Sequence, residues 1–180
     1  MPSPAWRHAL VLGGIRSGKS EFAEELAGAG PVRYVATARD APTDPEWSAR
    51  IAAHRARRPA GWSTTEVGGD PSTLVDVIAM ADTRETLLID DLGTWVAGLM
   101  KSAGAPSADP LAARLADAVR ACPAKVVLVS PEVGLSVVPS TAAGRIFADA
   151  LGTANRVIAG ACDIVTLVVA GQVVWLKGGP

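Results

Sequence analysis

Two kinds of segment alternate along the hydrophobic pattern of this chain. Short apolar runs rich in β-branched residues are typical of strands that are buried on both faces of a sheet. The predicted strands are Ala9–Leu12, Val32–Ala36, Thr86–Ile89, Lys125–Val129 and Ile164–Val169. Longer stretches lie between them, and the predicted helices are Lys19–Ala29, Glu46–Arg57, Pro71–Ala81, Pro110–Ala121 and Ala142–Ala161. The alternation indicates an α/β fold in which helices flank a mainly parallel sheet.

The C-terminal end of the chain breaks this alternation. The residues from Ala170 to Gln172 separate the strand Ile164–Val169 from another apolar run, Val173–Leu176. A gap of hairpin length predicts an antiparallel pair, so we place the last strand at the edge of the sheet. The small, polar stretch Ser102–Asp109 predicts a surface loop. Since neither repeats nor a low-complexity linker interrupt the pattern, we expect residues 1–180 to form a single domain.

A glycine-rich segment follows the first predicted strand and precedes the first predicted helix. It fits the pattern G-x-x-x-x-G-K-[ST], and its residues are Gly13, Gly14, Ile15, Arg16, Ser17, Gly18, Lys19 and Ser20. In this context glycines let backbone amides converge on phosphate oxygens, and the helix N-terminus adds partial positive charge. Lys19 would reach the β- and γ-phosphates as a catalytic charge, and the Ser20 hydroxyl would lie on Mg²⁺. The segment therefore predicts a site for a nucleoside triphosphate.

A pair of carboxylates follows the strand predicted over Thr86–Ile89. In nucleotide-binding sheets, ligands gather at the carboxyl ends of the strands, where Asp90 and Asp91 would lie. A carboxylate at this position can hold Mg²⁺ or its water shell. The alternative is that these residues only begin a turn, as aspartates commonly do. Beside a phosphate loop we favour the metal-linked interpretation, with Asp90 preferred because it directly ends the apolar run.

A histidine lies in a strongly basic stretch at the second predicted helix. Arg50, His54, Arg57 and Arg58 recur at spacings of three and four, which puts them on one helical face. A bound triphosphate would compensate the repulsion between these cations, and a neutral imidazole can act as a nucleophile at phosphorus. The alternative is a solvated basic face with an incidental histidine.

The composition argues against several classes of protein. Apolar residues make up 49% of the chain, which argues against a disordered protein, and the formal net charge is −1. With so little net charge, no global field would recruit nucleic acid or an anionic membrane. The apolar runs are of strand length, so we expect no membrane span. Cys122 and Cys162 lack metal-like spacing, and free thiols suit a soluble cytoplasmic protein.

Together, these and further segments resemble one family, the bifunctional adenosylcobinamide kinase/adenosylcobinamide-phosphate guanylyltransferases. The resemblance spans nearly the whole chain. Besides the phosphate loop and the histidine segment, it rests on Tyr34 to Ala38, Trp62-x-Thr64-x-Glu66, Leu88-Ile89-Asp90, Glu132-Val133-Gly134 and Asn155. The phosphate loop is shared with many unrelated enzymes, whereas its combination with His54 and Glu132-Val133-Gly134 is far more selective.

The resemblance implies two reactions of corrinoid (vitamin B12) assembly. ATP or GTP phosphorylates the aminopropanol hydroxyl of adenosylcobinamide, and GTP then donates GMP to that phosphate, which releases pyrophosphate. His54 would carry GMP covalently between the two halves of the second reaction. The implied nucleotide-binding residues are those of the phosphate loop together with Thr37, Ala38, Arg39, Arg55, Ala56, Arg57, Arg58, Glu66 and Asp90. The family also implies a P-loop fold and a homotrimer.

Three features depart from the family pattern. Pro131 replaces an asparagine, Asp91-Leu92-Gly93-Thr94 replaces the common Cys-Leu-Thr-Leu, and Arg156 replaces a glutamine. Two other functions stay open on the residues alone. A different small-molecule P-loop kinase would need no covalent step and hence no His54, and a nonenzymatic P-loop switch would bind nucleotide and a protein partner.

Overall fold

A computed structural model describes residues 6–38, 58–68, 70–102 and 109–179 of the chain. The helix predicted over Glu46–Arg57 lies outside the described residues. In chain order the elements are β1 (His8–Gly13), α1 (Lys19–Ala27), β2 (Val32–Ala36), β3 (Ser63–Glu66), α2 (Ser72–Ala79), β4 (Thr86–Asp90), α3 (Leu92–Ser102), α4 (Asp109–Ala121), β5 (Lys125–Pro131), α5 (Ala142–Ala159), β6 (Ile164–Val169) and β7 (Gln172–Lys177).

The seven strands form one sheet in the order β3-β2-β4-β5-β1-β6-β7. Every neighbouring pair is parallel except β6 and β7, which form a C-terminal antiparallel pair. β1 lies between β5 and β6, and Gly13 at its carboxyl end pairs with Pro131 on one side and Val168 on the other. Because the first six strands run in the same direction, the loops that follow them all leave from one edge of the sheet.

Alternate residues of the central strands contribute side chains to two hydrophobic cores, one on each face of the sheet. Leu10 and Leu12 of β1 belong to the larger core, which also buries residues of α2, α3, α4 and α5. Val11 belongs to the smaller core, together with Ala23 and Ala27 of α1. All six residues of β1 are buried, because side chains alternate across a strand and both faces are covered. This packing fixes α1, the helix that begins at the end of the phosphate loop.

The structure confirms the α/β fold, the mainly parallel sheet and the antiparallel edge strand. Each of the six predicted strands is present, and its ends agree within two residues. The predicted helices that fall within the described ranges also agree within two residues at each end. The first of them ends at Ala27 rather than Ala29, because Gly28 caps it with a φ of +82°.

Two elements of the structure have no counterpart among the predicted ones. β3 has the sequence Ser-Thr-Thr-Glu and is mostly exposed, so no apolar run marks it. α3 buries Leu92, Trp95 and Val96, which recur at helical spacing and would indicate a helix. The glycines at 93 and 98 weaken that indication, because glycine disfavours a helix interior.

The surface loop predicted over Ser102–Asp109 differs from the structure by one residue at each end. Ser102 ends α3 and Asp109 begins α4, while residues 103–108 lie outside the described ranges. None of the helices in those ranges is both long and apolar enough to span a bilayer.

Candidate active site

The loop between β1 and α1 has the geometry of a phosphate-binding loop. β1 ends at Gly13 and α1 begins at Lys19, and a hydrogen bond of 3.3 Å from Ser17 N to Gly14 O closes the turn between them. Gly18, the N-cap of α1, adopts a φ of +93°, a conformation that favours glycine. An anion held at this N-terminus would gain hydrogen bonds from backbone amides and the favourable helix dipole.

Elements on both sides of β1 hold this loop in place. Gly171 N, in the turn between β6 and β7, donates to Ser17 O at 2.8 Å. Glu132 N, directly after β5, donates to Gly13 O at 3.1 Å. Gly13 has no room for a side chain, since a Cβ there would lie 2.8 Å from Val168 O. The loop is therefore preorganised before any phosphate binds.

Lys19 carries positive charge at this loop. Its Nζ donates to Gly14 O at 3.2 Å, so the ammonium group lies against the loop backbone. The same charge favours the ionised forms of Asp90 and Asp91, although burial raises the pKa of both carboxyl groups. Lys19 therefore couples the phosphate loop electrostatically to the carboxylates that follow β4.

The Asp90 carboxylate contacts both the phosphate loop and β2. The Tyr34 hydroxyl donates to Asp90 Oδ2 at 2.9 Å, and the Ser20 side chain lies near enough to the carboxylate to favour its charged form. Burial raises the pKa of Asp90, while the contacts with Tyr34 and Ser20 and the nearby positive charge oppose that rise. A divalent cation would offset the cost of keeping this half-buried carboxylate charged.

Asp91 has a different, local role. Its Oδ1 accepts hydrogen bonds from Thr94 N at 2.8 Å and from the Thr94 hydroxyl at 3.2 Å, which caps the start of α3. The Thr37 hydroxyl donates to Asp91 O at 2.6 Å and accepts from Asp91 N at 3.0 Å. The peptide bond between Asp90 and Asp91 is cis. The turn interpretation thus describes Asp91, whereas Asp90 faces the phosphate loop.

Arg58 and Tyr34 form the part of the site that lies next to β3. The central carbon of the Arg58 guanidinium lies 3.3 Å from the centroid of the Tyr34 ring, and Nη1 donates to Thr64 Oγ1 at 3.3 Å. Burial raises the pKa of Tyr34 well above its usual range, so the phenol stays protonated and donates to Asp90. Arg58 Nε is buried and has no hydrogen-bond partner among the described residues. A phosphate oxygen is one acceptor that would satisfy it.

The structure brings several predicted nucleotide-binding residues to one edge of the sheet. The phosphate loop follows β1, Thr37 and Ala38 follow β2, and Glu66 and Asp90 end β3 and β4. Thr37 is buried, whereas Glu66 is exposed. Arg58 precedes β3. The other predicted residues lie outside the described ranges, and they are Arg39, His54, Arg55, Ala56 and Arg57.

The geometry adds three residues that sequence reasoning did not assign to the site: Tyr34, Thr94 and Glu132. Tyr34 resembles a core residue of β2, and only the strand register reveals its role. It pairs with Leu88, two residues before Asp90 on the same face of β4, so its hydroxyl reaches the carboxylate. Thr94 belongs to the helix that was not predicted, and Glu132 acts on the phosphate loop through its backbone amide.

Two of the departures from the family pattern contact each other. A Cβ on Gly93 would lie 2.8 Å from Cγ and 3.1 Å from Cδ of Pro131. The proline therefore leaves no room for the threonine that is usual at position 93. The third departure, Arg156, is exposed on α5.

We expect Gly93→Thr to destabilise the protein by about 1 to 3 kcal/mol, because the new side chain overpacks against Pro131. Adding Pro131→Asn should recover much of this loss, because it removes the ring that blocks the threonine. Urea unfolding of both single variants and the double variant measures the coupling. Strictly additive effects would contradict a direct steric link between the two positions.

Mg²⁺ fits the residues at the end of β4 and the start of α1. The described residues contain no group of three or more His, Cys, Asp or Glu side chains that could together hold a metal ion. Ser20 and Asp90, whose side chains lie close enough to interact, offer a hydroxyl and a carboxylate oxygen, the hard ligands that Mg²⁺ prefers. The other ligands would be waters and phosphate oxygens, so the arrangement suits an ion that binds together with a nucleotide.

A strand, a glycine loop and a helix, with an acidic residue at the end of a parallel strand, define a P-loop nucleotide-binding domain. The family model described as cobinamide kinase / cobinamide phosphate guanyltransferase matches residues 9–176. The bifunctional adenosylcobalamin biosynthesis protein CobP of Pseudomonas aeruginosa is 40% identical over 174 residues, covering 95% of this chain and 98% of that protein. The bifunctional protein CobU of Salmonella typhimurium is 39% identical, covering 93% and 98%. The chain therefore belongs to the cobinamide kinase / cobinamide phosphate guanyltransferase family.

Solved structures of much lower identity show the fold alone. An ATPase from the type III secretion system of pathogenic bacteria superposes with a TM-score of 0.53 at 11% identity, covering 89% of this chain and 50% of the ATPase. A structure from Pyrococcus horikoshii OT3 gives a TM-score of 0.51 at 8% identity, covering 95% of this chain and 86% of that one. The sheet and its flanking helices are thus shared well beyond the family.

Proposed function

We propose that this chain phosphorylates the aminopropanol hydroxyl of adenosylcobinamide with ATP or GTP, then transfers GMP from GTP to that phosphate. The products would be adenosylcobinamide-GDP and pyrophosphate, in the assembly of vitamin B12. One observation carries the proposal: in a chain of this family, a phosphate loop ending in Lys19 and Ser20 packs against the Asp90 carboxylate. The relatives named as bifunctional adenosylcobalamin biosynthesis proteins support the pairing of two activities.

In the kinase reaction the chain mainly positions the triphosphate and neutralises its charge. The acceptor hydroxyl oxygen bonds to the γ-phosphorus and releases its proton to water, while the bond from that phosphorus to the β–γ bridging oxygen breaks and the nucleoside diphosphate leaves. The loop amides and Lys19 would bind the phosphate oxygens on which negative charge is concentrated. No covalent intermediate with the protein is required.

In the guanylyl transfer, His54 would be the nucleophile. An imidazole nitrogen bonds to the α-phosphorus of GTP as pyrophosphate leaves, and an oxygen of the corrinoid phosphate then displaces the imidazole. The Arg58 guanidinium supports this role, because it lies over the Tyr34 ring and its positive charge acts on the Asp90 carboxylate of the candidate site. His54 precedes Arg58 by four residues, and such a length of chain reaches at most about 14 Å.

Ser20 and Asp90 would hold Mg²⁺ at the triphosphate, where the ion would neutralise phosphate charge when bound. Asp90→Asn keeps the shape of the side chain but removes its charge. We therefore expect the Mg²⁺ concentration at half-maximal activity to rise by roughly 10- to 100-fold, the range seen when groups that support a metal are lost.

Asp91→Asn is the matched control for this titration. The Asp91 carboxylate accepts hydrogen bonds from Thr94, and an asparagine Oδ1 can still accept them, so Asp91→Asn should keep the cap of α3 and change the Mg²⁺ half-saturation much less than Asp90→Asn does. Mg²⁺ titrations of both variants decide the matter. An unchanged half-saturation for Asp90→Asn would reject its role at the metal.

Separation of products by mass tests the proposed function. The protein is incubated with adenosylcobinamide, Mg²⁺, ATP and GTP, and aliquots are taken over time. We expect adenosylcobinamide phosphate to appear first and adenosylcobinamide-GDP to replace it. A product that stops at the phosphate would instead favour a small-molecule kinase, and unchanged adenosylcobinamide would contradict both reactions.

We further propose that the protein acts as a homotrimer in the cytoplasm. The family resemblance supports the trimer, and the buried free thiols of Cys122 and Cys162 suit a reducing compartment. Light scattering of the purified protein measures its assembly mass, and a monomer at assay concentrations would contradict the trimer.

A further inference from the structure

Apolar side chains are exposed in the phosphate loop and in the loop that follows β5. In the loop between β5 and α5, Leu135 is 78% exposed, Val137 92% and Val138 74%. Ile15, within the phosphate loop itself, is 84% exposed. Single exposed apolar residues are common, whereas a group of them marks a binding surface. We call these four residues the apolar rim.

Hydrogen bonds hold the β5–α5 loop in shape while its apolar side chains face solvent. Near its start, Gly134 N donates to Glu132 Oε1 at 2.6 Å, and the Ser136 hydroxyl donates to a backbone carbonyl at 2.8 Å. Near its end, Arg145 Nη1 donates to two loop carbonyls at 3.0 Å and 2.9 Å. A ligand that covers the rim would therefore bind a preorganised surface at little cost in loop ordering.

The rim is continuous with the candidate phosphate site. Pro131, the last residue of β5, pairs with Gly13, the last residue of β1. The next amide, Glu132 N, donates to Gly13 O at 3.1 Å, and Leu135 follows three residues later. The segment that carries Leu135, Val137 and Val138 therefore leaves the sheet directly next to the loop that would hold the γ-phosphate.

We infer that the apolar rim binds the corrin body of the acceptor and so contributes to selection of that substrate, an inference that rests on the proposed function. The acceptor must bring its hydroxyl to the γ-phosphate, so the rest of the molecule has to lie against the surface next to the phosphate loop. A corrin ring is large and carries methyl groups and neutral amides at its edge. Residues 133–144 include no charged side chain, which matches that chemistry.

A second copy of the chain is the other occupant that such a surface could have. The substrate is favoured because a copy seated on the rim would obstruct the approach to the phosphate loop. Another exposed apolar face lies on β7, where Val174 is 48% and Leu176 56% exposed. β7 is at the edge of the sheet, two strands from β1, and is better placed for contacts between copies.

The double variant Leu135→Ser/Val137→Ser tests this inference, with Met80→Ser as the matched control. Met80 is 80% exposed but follows α2, before the chain enters β4 at the opposite edge of the sheet. We expect the KM for adenosylcobinamide in the kinase assay to rise about tenfold or more in the double variant. The dissociation constant of a fluorescent GTP analogue and the assembly mass should stay at wild-type values. Met80→Ser should match the wild type in all three measurements.

The possible failures can be told apart. An unchanged KM in the double variant would overturn the inference and leave the proposed function intact. A lower assembly mass would assign the rim to contacts between copies, and a weaker GTP affinity would make it a support of the phosphate loop; either result overturns the inference. Wild-type protein that does not turn over adenosylcobinamide would overturn the proposed function and this inference with it.

Discussion

Lys19→Ala should lower both the kinase and the guanylyltransferase activity by at least about 100-fold, because both reactions place a triphosphate in the same loop. The Lys19 ammonium lies against that loop, 3.2 Å from Gly14 O. Its removal leaves phosphate charge uncompensated where that charge is greatest in each transition state. The fold should persist, because burial of Ala23 and Ala27 holds α1 against the sheet.

Parallel assays of the two reactions, with thermal unfolding followed by circular dichroism, measure this effect. Lys101→Ala is the matched control, because Lys101 is an exposed lysine in the last turn of α3. It should keep both activities and the unfolding temperature of the wild type. Near-normal turnover of Lys19→Ala in either assay would show that the triphosphate binds elsewhere.

His54→Ala should abolish the transfer of label from α-labelled GTP to the protein and the formation of adenosylcobinamide-GDP. Kinase activity should survive in part, because phosphoryl transfer to the hydroxyl needs no covalent intermediate. The other histidine of the chain cannot substitute. His8 is the first residue of β1, at the opposite end of that strand from Gly13, and its buried ring donates from Nε2 to Cys122 O at 3.1 Å.

The chemistry of the adduct gives an independent check on His54. A phosphoramidate is labile in acid and stable in base, unlike a phosphoester. Adduct formation should fall at low pH, because an imidazole, whose ordinary pKa is about 6.5, loses its free lone pair when it is protonated. Positive charge on Arg55, Arg57 and Arg58 should disfavour that protonation and lower the pH at which the adduct is lost. Intact-protein mass after GTP incubation measures the adduct across pH, and a GMP adduct that persists in His54→Ala would place the nucleophile elsewhere.

The fold could be predicted from sequence wherever burial dictates residue type. β1, β2, β4, β5 and β6 lie inside the sheet, and their apolar runs reflect that position. β3 could not be predicted, because a polar edge strand is held by backbone pairing with β2 rather than by burial of its side chains. The spacing of apolar residues over α3 is compatible with a helix. Its two glycines and its position directly after a carboxylate pair instead favour a loop, so the helix was not predicted.

The residues of the candidate site also differ in whether the sequence alone could predict their roles. The phosphate loop could be predicted because its function resides in local backbone conformation, which requires glycine at Gly13 and Gly18. Asp90 and Asp91 are adjacent in sequence. The end of the apolar run favours Asp90 for the metal, but the cap that Asp91 provides for α3 is visible only in the three-dimensional contacts. The role of Tyr34 depends on strand register, which no local pattern encodes. His54 stays a prediction, since it lies outside the described residues.

One incubation follows both reactions together and tests the bifunctional assignment most directly. Wild-type protein is mixed with adenosylcobinamide, Mg²⁺ and GTP that carries distinguishable labels at its α- and γ-phosphorus, and a parallel sample receives γ-labelled ATP with α-labelled GTP. We predict a corrinoid product that holds both labels in at least one sample, with the γ-label on the aminopropanol oxygen and the α-label in the attached GMP. A corrinoid product that carries only the γ-label in both samples, or no label at all, would contradict the assignment.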